Sequence, residues 1–253
     1  MENLAVVILA AGKGTRMKSD LPDRQAGLPK VFHEILGEPM LTHVLETVKK
    51  LNPEKTILVV GHQRALLMDY YQKWPVEFAV QDPQLGTGHA VMQAKPFLDD
   101  FEGTVLVLAG DVPLIKEQTL LDLLKLHAEK KAAATDLTAI LEEAGNYGRI
   151  VRSKDGSIER IVEKRDASPE ELKIKEINTG TFCFEKRALF EALAEVKAEN
   201  AQQEYYLTDT LEILKRKGSS IHAYVAPDPL EIEGINTKEQ LVNVEKILLS
   251  RRA

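Results

Sequence analysis

The chain has 253 residues, of which 44% are hydrophobic and 28% charged, and its net charge is −6. These values are typical of one large globular domain and exclude a strongly basic surface for nucleic acid or anionic membranes. No apolar run approaches the roughly 18 residues of a membrane span, and nothing at the N-terminus resembles a signal peptide. We therefore expect a cytoplasmic protein with no nucleic-acid or membrane partner.

The first half of the chain alternates predicted strands with predicted helices. Apolar runs predict strands at 6–10, 56–60, 77–81 and 105–109. Apolar residues at helical spacing predict helices within 40–51 and 120–127. This alternation indicates βαβ units, a parallel sheet and helices on both of its faces.

The second half is richer in short strands. Strands are predicted at 149–152, 158–163, 177–185 and 221–225, and Asp155-Gly156 predicts a hairpin between the first two. Helices are predicted at 186–198, at 204–217 with Gly218 ending it, and at 237–251 with Thr237 as N-cap. The single cysteine, Cys183, lies in a predicted strand, so we expect a buried structural thiol.

The segment 4–17 carries the first chemical signal. A buried apolar strand runs into a loop with Gly12, Lys13, Gly14 and Arg16, which suits phosphates held by backbone N–H groups. The segment matches neither the P-loop nor the dinucleotide fingerprint, so a tight strand-to-helix turn remains an equal alternative.

Other predicted strand ends add polar groups to the same edge of the sheet. Gln81 offers an amide for a base edge, and Asp111 offers a carboxylate for Mg²⁺. Asp111 alone could instead cap the turn that follows its strand.

Two longer motifs narrow the interpretation. They are Gln84-Leu85-Gly86-Thr87-Gly88-His89-Ala90 and Glu204-Tyr205-Tyr206-Leu207-Thr208-Asp209. Together with 9–17, 28–31, 110–114, 147–150, 161–163, 176–180 and 233–236, they resemble the sugar-nucleotide pyrophosphorylases. Within that family, the pattern is most similar to the uridylyltransferase half of bifunctional bacterial N-acetylglucosamine-1-phosphate uridylyltransferases.

The resemblance implies a Rossmann-like α/β nucleotidyltransferase fold of the GT-A type. Its mostly parallel sheet is flanked by helices, with a β-rich sugar-binding lobe in the second half. The catalytic domain would cover residues 1–236, and a C-terminal helix would cover 237–253. The implied reaction is the Mg²⁺-dependent transfer of UMP from UTP to N-acetylglucosamine-1-phosphate, which gives UDP-N-acetylglucosamine and pyrophosphate.

The resemblance also implies a role for individual residues. Catalysis would use Arg16 and Lys30, and the metal would be held by Asp111 and Asn236. The nucleotide would contact Leu9, Ala10, Ala11, Gly12, Lys30, Gln81, Gly86, Thr87, Ala109 and Gly110. The sugar would contact Gly148, Glu163, Asn178, Tyr206, Thr208 and Asn236.

The chain departs from the family pattern in three places. Five extra residues, 23–27, precede the second Leu-Pro and put the position of Lys30 in question, with Arg24 as a possible replacement. Ala109 stands where some members carry a tyrosine. The hexapeptide repeats of the acetyltransferase β-helix are absent from the sequence, so we expect no acetyl transfer and a monomer or weak oligomer.

Several alternatives stay open. Glu163 could belong to a solvated charge cluster, Tyr205 could be a core aromatic, and Asn236 could be a turn or capping residue. The activity could be uridylyl or thymidylyl transfer to another sugar-1-phosphate. The chain could also be a non-catalytic module that binds sugar nucleotides.

Overall fold

The structure is a computed structural model, and it describes residues 3–12, 14 and 28–252. The strands are β1 Leu4–Ala10, β2 Glu34–Ile35, β3 Glu38–Pro39, β4 Lys55–Val60, β5 Glu77–Val80, β6 Thr104–Ala109, β7 Ala134–Ile140, β8 Arg149–Arg152, β9 Ile158–Val162, β10 Glu176–Glu185 and β11 Ile221–Val225. The α-helices are α1 Met40–Lys50, α2 Arg64–Tyr71, α3 Thr87–Met92, α4 Glu117–Glu129, α5 Lys186–Leu193, α6 Asp209–Arg216 and α7 Lys238–Arg252.

One sheet organises the chain, in the strand order β11-β7-β10-β6-β1-β4-β5. β1 pairs in parallel with β4 and β6, and β4 pairs in parallel with β5. β10 is antiparallel to both β6 and β7, while β11 is parallel to β7. The predicted fold class, a mostly parallel sheet flanked by helices, is confirmed.

The reversed direction of β10 has a consequence for the edge where ligands bind. The carboxyl ends of β1, β4, β5 and β6 lie at one edge of the sheet, and the N-terminal end of β10 lies at the same edge. Asn178, near the start of β10, therefore joins the residues that follow the parallel strands. Ligands of open α/β sheets bind at this edge.

The hydrophobic core has two layers because both faces of the sheet are covered. Leu4, Val6 and Ile8 of β1 pack with α1, α2 and α4 on one face. Ala5 and Val7 pack with α3, α5 and α6 on the other face. Successive side chains of a strand point to opposite faces, so a strand that is buried on both faces must be apolar throughout. This explains the uninterrupted apolar sequence of β1.

The hairpin and the cysteine predictions are confirmed. β8 and β9 are antiparallel, and Gly156 in their turn has φ +82°. Asp155 holds the turn because its Oδ1 accepts from the Ser157 N–H at 3.0 Å. The hairpin joins the main sheet through the pairing of β8 with β10. Cys183 in β10 is fully buried, and burial raises the pKa of its thiol.

The helix predictions in the second half need two corrections. The helix predicted at 186–198 ends at Leu193, and the helix predicted at 204–217 begins only at Asp209. The residues before Asp209 contact the segment 85–88 instead: the Tyr205 N–H donates to the Leu85 carbonyl at 2.8 Å. Gly218 does end α6, since it has φ +76° and the next N–H donates back to the Leu214 carbonyl.

The last helix is fixed at both ends. Thr237 is its N-cap, as predicted, because its Oγ1 accepts from the Gln240 N–H at 3.2 Å. In return, Gln240 Oε1 accepts from the N–H groups of Thr237 and Asn236, which completes a capping box. At the other end, the Arg251 guanidinium donates to the Leu114 carbonyl at 3.1 Å.

The sequence did not reveal β7, α2, α3 or the short β2–β3 pair. β7 is a buried strand, yet it carries Thr135, Asp136 and Thr138, each with 0% exposure. Neither carboxylate oxygen of Asp136 has a hydrogen-bond partner among the described residues. Burial raises the pKa of Asp136 well above its usual range, with a smaller contribution from Glu176. The raised pKa favours the protonated form of this carboxyl in the folded protein.

We expect the substitution Asp136→Val to stabilise the protein. The raised pKa means that the folded state binds a proton that the unfolded state releases above about pH 4, so Asp136 lowers stability increasingly as the pH rises. Valine should raise the free energy of unfolding by about 1–3 kcal/mol at pH 8, and by less at pH 5. Urea unfolding at both pH values measures this difference.

The matched control is Asp136→Asn, which keeps the size and polarity but cannot ionise. The free energy of unfolding of Asp136→Asn should therefore change less between pH 5 and pH 8 than that of the parent. A valine variant less stable than the parent at pH 8 would contradict the interpretation.

Candidate active site

A cleft of about 500 Å³ opens at the edge of the sheet where the parallel strands end. It is lined by Leu9, Ala10, Ala11, Gly12, Gly14, Lys30, Val31, Gln81, Gln84, Gly86, Thr87, Ala90, Asp111 and Glu204. The residues after β1, β5 and β6 all contribute to this lining. The cleft therefore brings together the loop of segment 4–17, the Gln84–Ala90 motif and the carboxylate after β6.

At one end of the cleft, three distant residues meet around a positive charge. The Lys30 ammonium donates to Asp111 Oδ2 and, at 3.0 Å, to Asn236 Oδ1. These three residues, which we call the charged corner, come from the segment that follows the five extra residues, from the residues just after β6 and from the residues just before α7. The side chains of Lys30 and Asp111 are only 19% and 17% exposed. Partial burial strengthens the attraction between them because water screens it less.

Backbone geometry sets the position of Lys30. Gly14 has φ +58°, a conformation that favours glycine, and a Cβ at this position would lie 2.5 Å from the Lys30 Cβ. The absence of a side chain at Gly14 thus allows the lysine to approach the loop after β1. Lys30 reaches the cleft although five extra residues precede it in the sequence.

The segment that carries Asn236 is tied down from two sides. The Ile235 N–H donates to the Asp111 carbonyl at 3.0 Å. The Tyr147 hydroxyl accepts from the Gly234 N–H at 3.2 Å and donates to the Ile232 carbonyl at 3.5 Å. Burial raises the pKa of Tyr147, so the hydroxyl stays protonated. Asn236 is thus both a turn residue before the cap of α7 and a partner of Lys30.

Gln81 lies at the opposite end of the cleft, just after β5. Its Nε2 is 2.9 Å from the Gly86 carbonyl and 3.2 Å from His89 Nδ1. The Gln84 amide donates to the Gln81 backbone carbonyl at 3.1 Å. Gln81 is only 3% exposed, so these contacts hold its side chain firmly on the cleft wall.

The two longer motifs of the sequence pack against each other through their backbones. The Gly88 N–H donates to the Tyr205 carbonyl at 2.7 Å, and the Leu207 N–H donates to Thr87 Oγ1 at 3.0 Å. A Cβ on Gly86 would lie 2.6 Å from the Tyr205 carbonyl oxygen, and one on Gly88 would lie 3.0 Å from it. Both glycines are needed for this close approach.

Most of the residues predicted to contact the sugar form a second group, beyond the cleft lining. Thr208 Oγ1 donates to Glu163 Oε1 at 3.2 Å, and the Asn178 N–H donates to the Gly148 carbonyl at 3.0 Å. A Cβ on Gly148 would lie 3.5 Å from the Glu163 carboxylate. These four residues, which we call the sugar-side group, are next to one another.

Two carboxyl groups, one in the sugar-side group and one next to it, have raised pKa values. Burial raises the pKa of Glu163, and Asp166 and Glu204 add to this effect, although the bond from Thr208 opposes it. Burial raises the pKa of the nearby Asp209 to about 6. Tyr206 lies beside the group and donates to Asp166 Oδ2 at 3.3 Å. Carboxyl groups with raised pKa values are a common feature of functional sites, although structural clusters also show them.

Two of the open alternatives can now be compared with the structure. Glu163 bonds with Thr208, whereas its neighbours find other partners: Arg160 pairs with Glu171, and Lys164 donates to Asn146. Glu163 is therefore not a member of an ion-pair cluster among the described residues. Tyr205 is partly buried against the second core layer, as expected for a core aromatic.

Some predicted site residues are placed elsewhere or lie outside the described residues. Ala109 and Gly110 do not line the cleft; the Gly110 N–H donates to the Leu9 carbonyl at 3.0 Å beneath it. Arg16 and Arg24 lie outside the described residues. Sequence reasoning gave no role to Gln84, Glu204 or Tyr147, although all three lie within motifs that it singled out.

The charged corner is suited to a metal ion. A carboxylate and an amide oxygen face one point, and the Lys30 ammonium places a positive charge between them. Mg²⁺ is commonly held by one or two protein oxygens together with substrate phosphates. Among residues 3–12, 14 and 28–252, no group of three or more His, Cys, Asp or Glu side chains could hold a metal by itself.

Comparison with known proteins supports the same interpretation. The family model described as nucleotidyl transferase matches residues 5–229. The chain belongs to the nucleotidyl transferase family.

Two relatives are about half identical to this nucleotidyl transferase. The bifunctional protein GlmU of Enterococcus faecalis is 47% identical over 99% of the chain and 53% of its own length. The GlmU of a Geobacillus species is 50% identical over 97% of the chain and 52% of its own length. The chain thus spans about half the length of these curated relatives.

Solved structures show the same fold at low sequence identity. A UDP-glucose pyrophosphorylase complexed with UDP-glucose has a TM-score of 0.76 and 20% identity, covering 98% of both chains. A putative glucose-1-phosphate thymidylyltransferase of Bacillus anthracis has a TM-score of 0.72 and 19% identity, covering 96% of this chain and 94% of its own. Within the part of the chain that the structure describes, no helix is long and apolar enough to cross a membrane.

We expect the substitution Gly86→Ala to destabilise the cleft wall. Gly86 has φ +108°, and the added methyl group would collide with the backbone of Tyr205. The free energy of unfolding should fall by about 2–4 kcal/mol, as measured by denaturant unfolding. Gly12→Ala is the control, because a Cβ there meets nothing within 4 Å, and its stability should stay within about 0.5 kcal/mol of the parent. Equal stability of both variants would rule out the proposed packing.

Proposed function

We propose that the protein transfers UMP from UTP to N-acetylglucosamine-1-phosphate, with Mg²⁺, to give UDP-N-acetylglucosamine and pyrophosphate. The observation that carries this proposal is the charged corner. Its Lys30 and Asp111 line the same cleft as Gly12, Gly14 and Gln81. This arrangement offers a phosphate end and a base end within one cleft. The GlmU relatives support the choice of reaction, since they are similar over almost the whole chain.

The proposed chemistry is an in-line displacement at phosphorus. A phosphate oxygen of the sugar-1-phosphate forms a bond to the α-phosphorus of UTP. The bond from this phosphorus to the oxygen that bridges to the β-phosphate breaks, and its electron pair leaves with pyrophosphate. Such a reaction needs positioning and charge stabilisation rather than a nucleophilic side chain.

The residues of the cleft fit these requirements. Backbone groups of Leu9–Gly12 would hold the nucleotide, and Lys30 would neutralise phosphate charge as it develops. Asp111 and Asn236 would hold Mg²⁺, which supplies a further positive charge to the phosphates when it is bound. Lys30 contacts both Asp111 and Asn236 in this structure. When Mg²⁺ is bound to those two residues, the Lys30 ammonium would turn toward the phosphates.

The uracil of UTP and the sugar of N-acetylglucosamine-1-phosphate would be bound by different groups of residues. Gln81, with Gly86 and Thr87, would contact the uracil. The Thr87 hydroxyl already accepts from the Leu207 N–H, so Thr87 would contribute through its backbone. The sugar-side group, together with Tyr206, would hold the N-acetylglucosamine.

A pyrophosphate-release assay over a matrix of substrates tests the proposal. The nucleotides are UTP, dTTP, CTP and GTP, and the acceptors are the 1-phosphates of N-acetylglucosamine, glucose and N-acetylmuramic acid. We expect Mg²⁺-dependent release with UTP and N-acetylglucosamine-1-phosphate to exceed release with every other pair. A higher rate with another pair would replace the substrate assignment, and binding without turnover would indicate a non-catalytic module.

The charged corner gives a sharper prediction. Lys30→Met keeps most of the aliphatic stem beside Gly14 but removes the charge, and it should lower kcat by on the order of 10²–10³-fold. Asp111→Asn should lower kcat similarly and also weaken Mn²⁺ binding, which is measured by electron paramagnetic resonance without substrate turnover.

The control for Lys30→Met is Lys55→Met. Lys55 is also paired with a carboxylate, Asp100 at 2.6 Å, but it lies outside the cleft. Its kcat should stay within about twofold of the parent. A Lys30 variant with parental turnover would show that this lysine is not a catalytic residue.

A further inference from the structure

The side-chain amide of Asn236 has one favourable orientation. Its Oδ1 accepts from the Lys30 ammonium at 3.0 Å, and its Nδ2 donates to the Gly234 carbonyl at 3.0 Å. An ammonium group can only donate and a carbonyl can only accept, so a turned amide would be repelled by both neighbours. Asn236 therefore presents Oδ1, the oxygen proposed to hold Mg²⁺, to the charged corner.

Gly234 is the neighbour that keeps this orientation during the proposed reaction. The Lys30 ammonium would turn toward the phosphates, whereas the contact between Asn236 Nδ2 and the Gly234 carbonyl can remain. Gly234 lies against the charged corner, because a Cβ on it would be 3.6 Å from Asp111 Oδ2 and 3.8 Å from Asn236 Nδ2. The direction of the Gly234 carbonyl thus determines where Asn236 Oδ1 points.

Hydrogen bonds hold the two peptide groups that meet at Gly234. The Gly234 N–H donates to the Tyr147 hydroxyl at 3.2 Å, and the N–H of the next residue, Ile235, donates to the Asp111 carbonyl at 3.0 Å. A glycine backbone rotates more freely than that of any other residue, so each of these peptide groups needs its own partner. For the first peptide group, the partner is a single atom, the Tyr147 hydroxyl oxygen.

Tyr147 is itself held by a buried arginine. Arg149 is 3% exposed, and its guanidinium donates to the carbonyls of Tyr147, Ala144 and Gly145. The backbone of 144–147 is thus closed around this side chain. The ring of Tyr147 packs against the core layer that contains α1, α2 and α4. Both the backbone and the ring of Tyr147 therefore define the position of its hydroxyl.

We propose that Tyr147 is a positioning residue for the metal ion: its hydroxyl holds Gly234 so that Asn236 directs Oδ1 toward Mg²⁺. Groups that orient a metal ligand through hydrogen bonds commonly change metal affinity by about 10–100-fold when they are removed. Gln240 acts differently, since it accepts from the backbone N–H of Asn236. The inference rests on the proposed function, because it assumes that Asn236 is a metal ligand.

The substitution Tyr147→Phe tests this role, because it removes only the hydroxyl. Binding of Mn²⁺ alone is measured by electron paramagnetic resonance, and turnover is measured over a range of Mg²⁺ concentrations. We expect the Mn²⁺ dissociation constant and the Mg²⁺ concentration for half-maximal turnover each to rise about tenfold. At saturating Mg²⁺, kcat should fall by less than about threefold. Parental Mn²⁺ affinity in this variant overturns the inference.

The matched control is Tyr224→Phe. Tyr224 is also partly buried against the same core layer, and its hydroxyl donates to Asp122 Oδ2 at 3.3 Å. Tyr224 does not line the cleft. Its removal should leave the Mn²⁺ dissociation constant within about twofold of the parent. A loss of affinity equal to that of Tyr147→Phe would show a general effect of losing a core hydroxyl, and would contradict the proposed role.

A second background tests whether Tyr147 acts through the amide of Asn236. In Asn236→Asp the ligand has two equivalent oxygens, so the Gly234 carbonyl no longer selects the one that faces the metal. Adding Tyr147→Phe to this background should change the Mn²⁺ dissociation constant by less than about threefold. An effect as large as in the parent would mean that the hydroxyl acts on another part of the charged corner, and the inference would fail.

The variant Asp111→Asn separates the inference from the proposed function. If the parent binds Mn²⁺ no more tightly than Asp111→Asn, the proposed metal site is wrong and the role of Tyr147 is wrong with it. If Asp111→Asn weakens Mn²⁺ binding and Tyr147→Phe does not, the proposed function stands and only the role of Tyr147 fails.

Discussion

The antiparallel pairing of β10 between β6 and β7 is the constraint on which the rest of the molecule depends. In the part of the chain that the structure describes, this pairing joins the parallel strands of the first half to the strands of the second half in one sheet. Because β10 runs against its neighbours, its start lies at the carboxyl edge of the sheet. A parallel strand in this position would carry Asn178 to the opposite edge, away from the cleft.

The two ends of the candidate site are built on different physical principles. The charged corner depends on attraction between an ammonium group and oxygens that come from three distant segments, so its strength depends on how much water enters. The base end depends on main-chain contacts between the two motifs, with glycines where the chains touch. In the proposed reaction the charged corner would rearrange as phosphates and metal bind, whereas the base end would be a fixed wall.

Much of this arrangement was predictable from the sequence, for identifiable reasons. The four strands of the first half are mostly apolar, and three residues that follow them, Gly12, Gln81 and Asp111, have the chemistry of nucleotide binding. β7 was missed because Thr135, Asp136 and Thr138 interrupt its apolar pattern although the strand is buried. The predicted start of α6 was wrong because residues 204–206 bond with the segment 85–88, as in the bond from the Tyr205 N–H to the Leu85 carbonyl, instead of forming a helix. Contacts over such a distance in sequence leave no local signal.

The contacts at the two ends of α7 link this helix to both sides of the charged corner. Its first turn holds Asn236 through the side chain of Gln240, and its last turn holds the loop after Asp111 through Arg251 and the Leu114 carbonyl. A helix of 15 residues is a rod of about 22 Å. The rod therefore connects the segment of Asn236, on one side of the charged corner, to the loop that follows Asp111 on the other side. A tilt of α7 at its remote end would therefore change the distance between the Asn236 and Asp111 side chains.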